Sequence, residues 1–244
     1  MQLKNSLSNF LFLLILLTTF TSCSTPKQPQ ASATPGLMGR WDLNEGSGTI
    51  AHDTSGNANT GTPINGPTWV QGKNSQALSF NGSSQYVSVP NSSSLNLPAA
   101  SAVTMCAWVY STSGSTGSYQ GIMAKRTAFG GPYDYGINFI TGQFQVYTQG
   151  KSGIIGFNYD LPVKTWTHVC GVISSGPTAL YINGALFGSA GSGGGVMSDN
   201  SIFQIGGSYS DTNGGNEVFN GIIQDVYVYD RALSASEIAS LYKS

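Results

Sequence analysis

The chain has 244 residues, of which 10 are Lys or Arg and 11 are Asp or Glu, so 9% carry charge against a globular norm of roughly 25%. A formal net charge of -1 over so few groups cannot build the basic stripe that a phosphate backbone requires, which excludes nucleic acid as a partner. The 40% hydrophobic content, with 11 Phe, 12 Tyr and 4 Trp, excludes a disordered chain, and the 32 glycines lack the regular spacing of collagen.

The first element is an apolar run, Phe10 to Phe20 (FLFLLILLTTF). It fits the roughly 7–15 residues of a signal-peptide core and falls short of the ~20 that span a bilayer. The small residues Thr21 and Ser22 precede Cys23, and the segment resembles a bacterial lipoprotein signal in which Cys23 is acylated and becomes the new N-terminus. It departs from that pattern at Phe20, where Leu is usual, and Lys4 is the only positive residue ahead of the run. An ordinary secretory signal with an incidental cysteine is the alternative. The lipoprotein reading divides the chain into a signal peptide (1–22), a flexible Pro-rich tether (23–36) and one folded domain (37–244). Ser24, rather than Asp, follows the cysteine, which implies the outer membrane of a two-membrane bacterium. Contact with the membrane is then expected through the lipid anchor alone.

From Leu37 onward, alternating and continuous apolar runs recur between turn signals: Leu78 and Phe80, Tyr86 to Val89, Val103 to Tyr110, Tyr135 to Ile140, Phe144 to Tyr147, His168 to Ile173, Ala179 to Ile182, Ile202 to Ile205, and Ile222 to Tyr229. Asn-Gly, the dipeptide best suited to tight hairpin turns, begins at Asn65, Asn81, Asn183, Asn213 and Asn220. The expected fold is all-β, an antiparallel sandwich. The one helical signal is C-terminal, where Ser234 and Glu237 form a capping box ahead of Ile238 and Leu241.

The stretches WDLNEGSGTIAHDTSGNANTG (Trp41 to Gly61) and QALSFNGSSQYVSVP (Gln76 to Pro90) are followed in order by VTMCAWVY (Val103 to Tyr110), WTHVCGVIS (Trp166 to Ser174), ALYINGALFGS (Ala179 to Ser189) and FNGIIQDVYVYDRALSASEI (Phe219 to Ile238). Together they resemble a laminin-G-like domain of the concanavalin A-like superfamily. The resemblance implies a two-sheet jelly roll. Within that superfamily, Cys106 and Cys170 resemble the disulfide-bonded pair of the pentraxins. The count agrees, because acylation of Cys23 leaves an even pair in an exported chain. Two buried free thiols are the alternative.

Catalytic groups are scarce. Only His52 and His168 are present; His168 lies in WTHV, where laminin-G-like domains use the ring structurally, and His52 has no partners at zinc-ligand spacing. Glu45, Glu217 and Glu237 are far apart, and none sits two residues from an Asp on a strand, as the paired carboxylates of the superfamily's glycan hydrolases do. A non-catalytic domain is therefore expected. In DTSGNANTG, the oxygen-bearing residues Asp53, Asn57 and Asn59 crowd one loop, the kind of donor set calcium selects. A jelly roll is expected to bring Asp225 beside them as a second carboxylate. An Asx-turn network is the alternative. The segment around Asp211 resembles the calcium-bearing stretch of the pentraxins, with Ser208 and Tyr209 where Glu and Gln are expected.

Sugars stack on exposed aromatic rings beside Asn and Gln. Tyr133, Tyr135 and Tyr209 are the candidates for such a platform, with Tyr147 and Tyr159 as further ones. The expected function is a lipid-anchored envelope protein binding glycan or another extracellular polymer. A structural or adhesion protein contacting another envelope protein is the first alternative, and a glycan-degrading enzyme the second.

Overall fold

The computed structural model describes residues 34–98, 101–114, 117–126, 133–148, 153–191, 196, 199–208 and 217–244. Among the described residues fifteen strands and one α-helix follow in chain order, with a single 3-10 turn at Ser93–Leu95: β1 (Leu37–Trp41), β2 (Thr62–Ile64), β3 (Thr68–Gln71), β4 (Gln76–Asn81), β5 (Tyr86–Val89), β6 (Val103–Ser111), β7 (Gln120–Arg126), β8 (Tyr133–Ile140), β9 (Gln143–Thr148), β10 (Ile154–Asn158), β11 (Trp166–Ile173), β12 (Thr178–Ile182), β13 (Ala185–Ala190), β14 (Phe203–Ile205), β15 (Asn220–Tyr229) and α1 (Ala235–Lys243). They build two antiparallel sheets. The first runs β13-β12-β11-β6-β15-β4-β3, with β1 also pairing β15; the second runs β10-β9-β8-β7-β14-β5-β2. This is a jelly-roll sandwich with a short C-terminal helix.

Alternation along each strand decides which side chains meet between the sheets. Val103, Met105, Ala107 and Val109 of β6 face Tyr135, Ile137 and Phe139 of β8 in one apolar core. Trp41 stacks on Phe203 at 5.2 Å, and Phe139 packs at a tilt against Phe144 at 5.2 Å, so large rings fill the centre. Each large apolar side chain buried there contributes about 1.5–3 kcal/mol.

Turn chemistry sets the register only where φ demands it. Asn183 and Gly184, both at positive φ (49° and 78°), turn β12 into β13. Thr141 and Gly142 (40° and 71°) do the same between β8 and β9, without the Asn that would have marked the turn. Asn220-Gly221 is not a turn: both residues lie inside β15 and pair with β4. The tether expected through Gly36 gives way to folded chain earlier, because Thr34–Gly36 turn back onto β15. There the Asp230 N–H donates to Gly36 O at 2.8 Å and Arg231 Nε to Pro35 O at 3.0 Å. Cys23 and the signal-peptide boundary lie outside the described residues.

Candidate functional site

The loop singled out by its oxygen-rich composition does gather Asp53, Asn57 and Asn59, but as donors and acceptors to each other and to the backbone. Asp53 Oδ1 accepts the N–H groups of Arg40 (3.0 Å) and Ser55 (2.8 Å); Oδ2 accepts the Asn59 N–H and the Ser55 hydroxyl, both at 2.8 Å. Asn57 turns its Nδ2 toward the carbonyls of Leu37 and Met38, each at 2.9 Å. Asn59 is buried: its Nδ2 donates to Met38 O at 2.8 Å, and its Oδ1 accepts the Ser92 hydroxyl at 2.6 Å. Calcium wants six to eight oxygens at about 2.3–2.6 Å. Here both carboxylate oxygens hold N–H or O–H donors and both amides present nitrogen to the β1 carbonyls, so the loop as folded does not fit the ion. It is an Asx-turn network that fastens the loop to β1.

Asp225 is not brought to Asp53. It sits at a bulge in β15 with φ of 52°, and its N–H donates to Asp42 O at 3.3 Å. Because β1 pairs the second half of β15, with Trp41 opposite Val226, Asp42 is the acid that arrives there. Asp42 itself is held by Arg40 Nε at 2.7 Å and the Thr54 hydroxyl at 3.2 Å. Burial, and then the Asp42 charge, push the Asp225 carboxyl up to about 6.

The outer face of the first sheet, turned away from the core, is closed. Cys106 and Cys170 stand opposite each other on β6 and β11 and form a disulfide. Val172, Tyr229, Leu233 and Ile238 pack around it in a second apolar cluster that α1 completes. Next along, Trp108 packs against His168 (5.2 Å) and Tyr242 (5.3 Å), with Lys73 Nζ 4.3 Å from the indole centroid. Burial, then the Lys73 charge, hold the His168 ring down to about 4, so it is a neutral core residue. Among the described residues Cys106, His168 and Cys170 are the one group close enough to hold a metal, but the disulfide leaves no thiolate to bind one.

The outer face of the second sheet is different. Its alternate positions on β8 and β9 are Asp134, Gly136, Asn138, Ile140, Gln143, Gln145 and Tyr147, opposite the core-facing Tyr135, Ile137, Phe139, Phe144 and Val146. A directional chain of hydrogen bonds crosses it. Gln143 Nε2 donates to Asn158 Oδ1 (3.0 Å), Gln145 Nε2 to Gln143 Oε1 (3.0 Å), and Tyr147 OH to Gln145 Oε1 (2.6 Å). The chain ends in a buried cluster. Asn138 Nδ2 donates to Ser208 Oγ and to Glu217 Oε2, both at 3.0 Å; Glu217 Oε2 also accepts from the Ser208 hydroxyl and from Arg126 Nη1 at 3.0 Å. The Asn138 orientation follows from this, because only its nitrogen can face a carboxylate.

Among the described residues two acceptors on this face have no partner, Asn138 Oδ1 and Gln204 Oε1, and both are buried. Gln204 lies in the register row Gln204, Ala124, Gly136, Tyr147, Ile154, so it shares the face with Asn138 two residues beyond Gly136. The row is floored by Ala124 and Gly136, which raise nothing beyond a Cβ between Gln204 and Tyr147. A buried acceptor without a donor costs about 1–3 kcal/mol and calls for an explanation. At the rim of β7, Lys125 Nζ bonds Asp134 Oδ2 (3.0 Å), Asp199 O (2.6 Å) and Ser201 O (3.0 Å), which ties residues 199–201 to the sheet. Burial raises the Asp134 carboxyl above its ordinary range.

Tyr135, expected on a sugar platform, is instead fully buried between the sheets with its hydroxyl donating to Leu95 O at 3.0 Å. Alternation explains the reversal, since Tyr135 shares the face of Ile137 and Phe139. Of Tyr133 only the backbone is described, and Tyr209 and Asp211 lie outside the described residues. Asn138, Gln204, Arg126 and Glu217 are the residues that sequence reasoning missed. The pattern Gln143-Phe144-Gln145-Val146-Tyr147 carried the signal, because it places two amides and Tyr147 on one face.

Two packed antiparallel sheets define a jelly-roll sandwich. The family model of the concanavalin A-like lectin/glucanases superfamily matches residues 81–239, and the chain belongs to that superfamily. Domain 4 of AbnA, an extracellular arabinanase of Geobacillus stearothermophilus solved with arabinotriose, superposes with a TM-score of 0.65 at 19% identity, over 84% of this chain and 98% of that one. The binding domain of Paraclostridial Mosquitocidal Protein 1 superposes at 0.66 with 18% identity, over 85% of this chain and 52% of that one. Trypanosoma rangeli sialidase, solved with sialic acid, gives 0.63 at 20% identity, over 87% of this chain and 33% of that one. The chain thus spans about half of the second and a third of the third. No curated protein sequence matches it significantly.

Proposed function

We propose that this protein is a non-catalytic, lipid-anchored envelope protein that binds glycan on the outer face of its second sheet. The observation that carries the reading is the hydrogen-bonded row of Gln143, Gln145 and Tyr147 on that face, whose amides at Gln143 and Gln145 remain partly exposed. Sugars recognise such a surface, because each hydroxyl both donates and accepts. The similarity to a domain solved with arabinotriose supports the same class of ligand. Glu217 Oε2 already accepts from three donors, an arrangement suited to a fixed acceptor rather than to a nucleophile or an acid. Titration calorimetry of the full chain in detergent against neutral oligosaccharides and envelope polysaccharide tests the reading. Saturable binding weakened at least tenfold by Gln145→Ala is expected, and no binding to any glycan contradicts it. Anchoring is tested separately: an alkynyl fatty acid is expected to label the native chain in cells and not the Cys23→Ser variant, with the label in the outer membrane.

A second reading has one observation behind it. Leu186 and Phe187 on the edge strand β13 are 56% and 44% exposed, a surface suited to contact with a neighbouring envelope protein. Crosslinking in cells through residue 187 would return a single protein partner if that face docks one.

A further inference from the structure

We propose that the reduced chain folds around a zinc ion held by Cys106, Cys170 and His168, so that metal and disulfide are alternative clasps for the same two strands. Strand pairing and alternation build the site. Cys106 stands opposite Cys170, and His168, two residues ahead of Cys170 on β11, takes the same outer face beside it. Their ligand atoms lie within 4.8 Å of one another, and all three residues are fully buried.

The ring of His168 supplies a second observation. Among the described residues the polar partner of its two nitrogens is Cys170 Sγ, 3.9 Å from each. A neutral imidazole has one nitrogen that must accept, and a disulfide sulfur has no hydrogen to give it. The disulfide form therefore leaves a buried ring nitrogen without a donor, which is unfavourable. Reduction supplies what is missing: a thiol hydrogen first and, once both thiols lose their protons, a cation shared by two thiolates and the ring. Tetrahedral zinc sets sulfur and nitrogen about 3.6 Å apart and two sulfurs about 3.8 Å apart. The 3.9 Å spacing of His168 and Cys170 is close to the first of these, and opening the S–S bond frees side-chain rotation to part the sulfurs. Two thiolates and an imidazole suit zinc rather than calcium or magnesium, with a water in the fourth position. Burial is no barrier to entry, because a structural metal binds as the chain folds and not through the finished surface.

The test uses the full chain with Cys23→Ser, which leaves these two thiols. It is unfolded, reduced with a water-soluble phosphine and refolded without oxygen, with and without Zn²⁺. The disulfide takes an electron pair from phosphorus and two protons from water, whose oxygen leaves on the phosphine oxide; zinc then displaces one proton from each thiol. One zinc per chain is expected to survive gel filtration, and Co²⁺ in its place is expected to show a thiolate-to-metal charge-transfer band and the intense visible bands of a tetrahedral site. His168→Gln keeps both thiols and is expected to bind zinc about tenfold more weakly, whereas His168→Cys supplies a third thiolate and keeps the binding. If the reduced chain stays unfolded without metal, zinc is expected to restore the near-ultraviolet ellipticity of the packed Trp108. Oxidised glutathione, whose own disulfide accepts the electron pair, is expected to close Cys106 onto Cys170 and release the zinc in equal amount. No retained zinc, or equal zinc affinity in His168→Gln, overturns the proposal.

Discussion

On the first sheet the outward side chains of β6 and β11 meet in a disulfide and a packed Trp108-His168-Tyr242 ring cluster beneath α1. On the second sheet outward side chains of β8 and β9 include amides and a phenol linked in a row. The two faces begin from the same alternating strands and the same core. They differ in what lies on them: one carries a disulfide, a cluster of rings and α1, and the other a row of amides and a phenol of which Gln143 and Gln145 stay partly exposed. Substitutions on the first should therefore change stability and spare binding, while substitutions on the second should do the reverse.

The largest expected effect is at the disulfide. Replacing Cys106 and Cys170 together with Ala should cost about 4 kcal/mol in urea unfolding, the chain-entropy value for a separation of 64 residues. Glycan affinity of the fraction still folded should not change. Next comes His168. Its ring titrates at about 4 in the fold against 6.5 ordinarily, so the unfolded chain binds the extra proton first. Stability is full above pH 6.5 and falls as pH drops toward 4, by about 3 kcal/mol, and His168→Gln should flatten that slope in unfolding curves taken across the range.

Ile238→Ala, at the fully buried contact of α1, should cost about 2 kcal/mol and leave binding unaltered. The smallest effect is at Asp225, and it has the opposite sign. Its carboxyl titrates at about 6 against 3.8 ordinarily, so the folded chain holds the proton longer and stability falls as pH rises from 3.8 to 6. After allowance for solvent at a half-buried group the loss is about 1 kcal/mol. In the native protein the larger His168 slope masks it. In the His168→Gln variant stability should decline between pH 4 and 6, and adding Asp225→Asn should remove the decline.

The fold was legible because alternation and turn residues act locally. Tyr86 to Val89 and the capping box at Ser234 stand where the sequence places them. The disulfide followed from the family resemblance and the cysteine count. Strand β7 was not legible, since Lys125 and Arg126 break its apolar pattern and are tolerated only because distant carboxylates meet them. The edge strands β10 and β13 escaped for a different reason: exposed alternate positions and inserted glycines dilute the hydrophobic signal. The candidate site was least legible of all. Asn138, Gln204 and Glu217 are separated by 66 and 13 residues and meet only through pairing among β7, β8 and β14 and the bridge of Val218 to Gly121 and Gly207. Tyr135 misled because a tyrosine on an alternating strand has one of two faces, and its neighbours Ile137 and Phe139 had already chosen the inner one.

The side-chain amide resonances of Gln143 and Gln145 offer the most direct measurement. Titrating the full chain in detergent with a neutral oligosaccharide that binds should shift both resonances, while the indole of Trp108 and the amides of α1 stay in place. Shifts confined to Trp108, Tyr242 and α1, with the Gln143 and Gln145 signals unmoved, would contradict the assignment of the binding face.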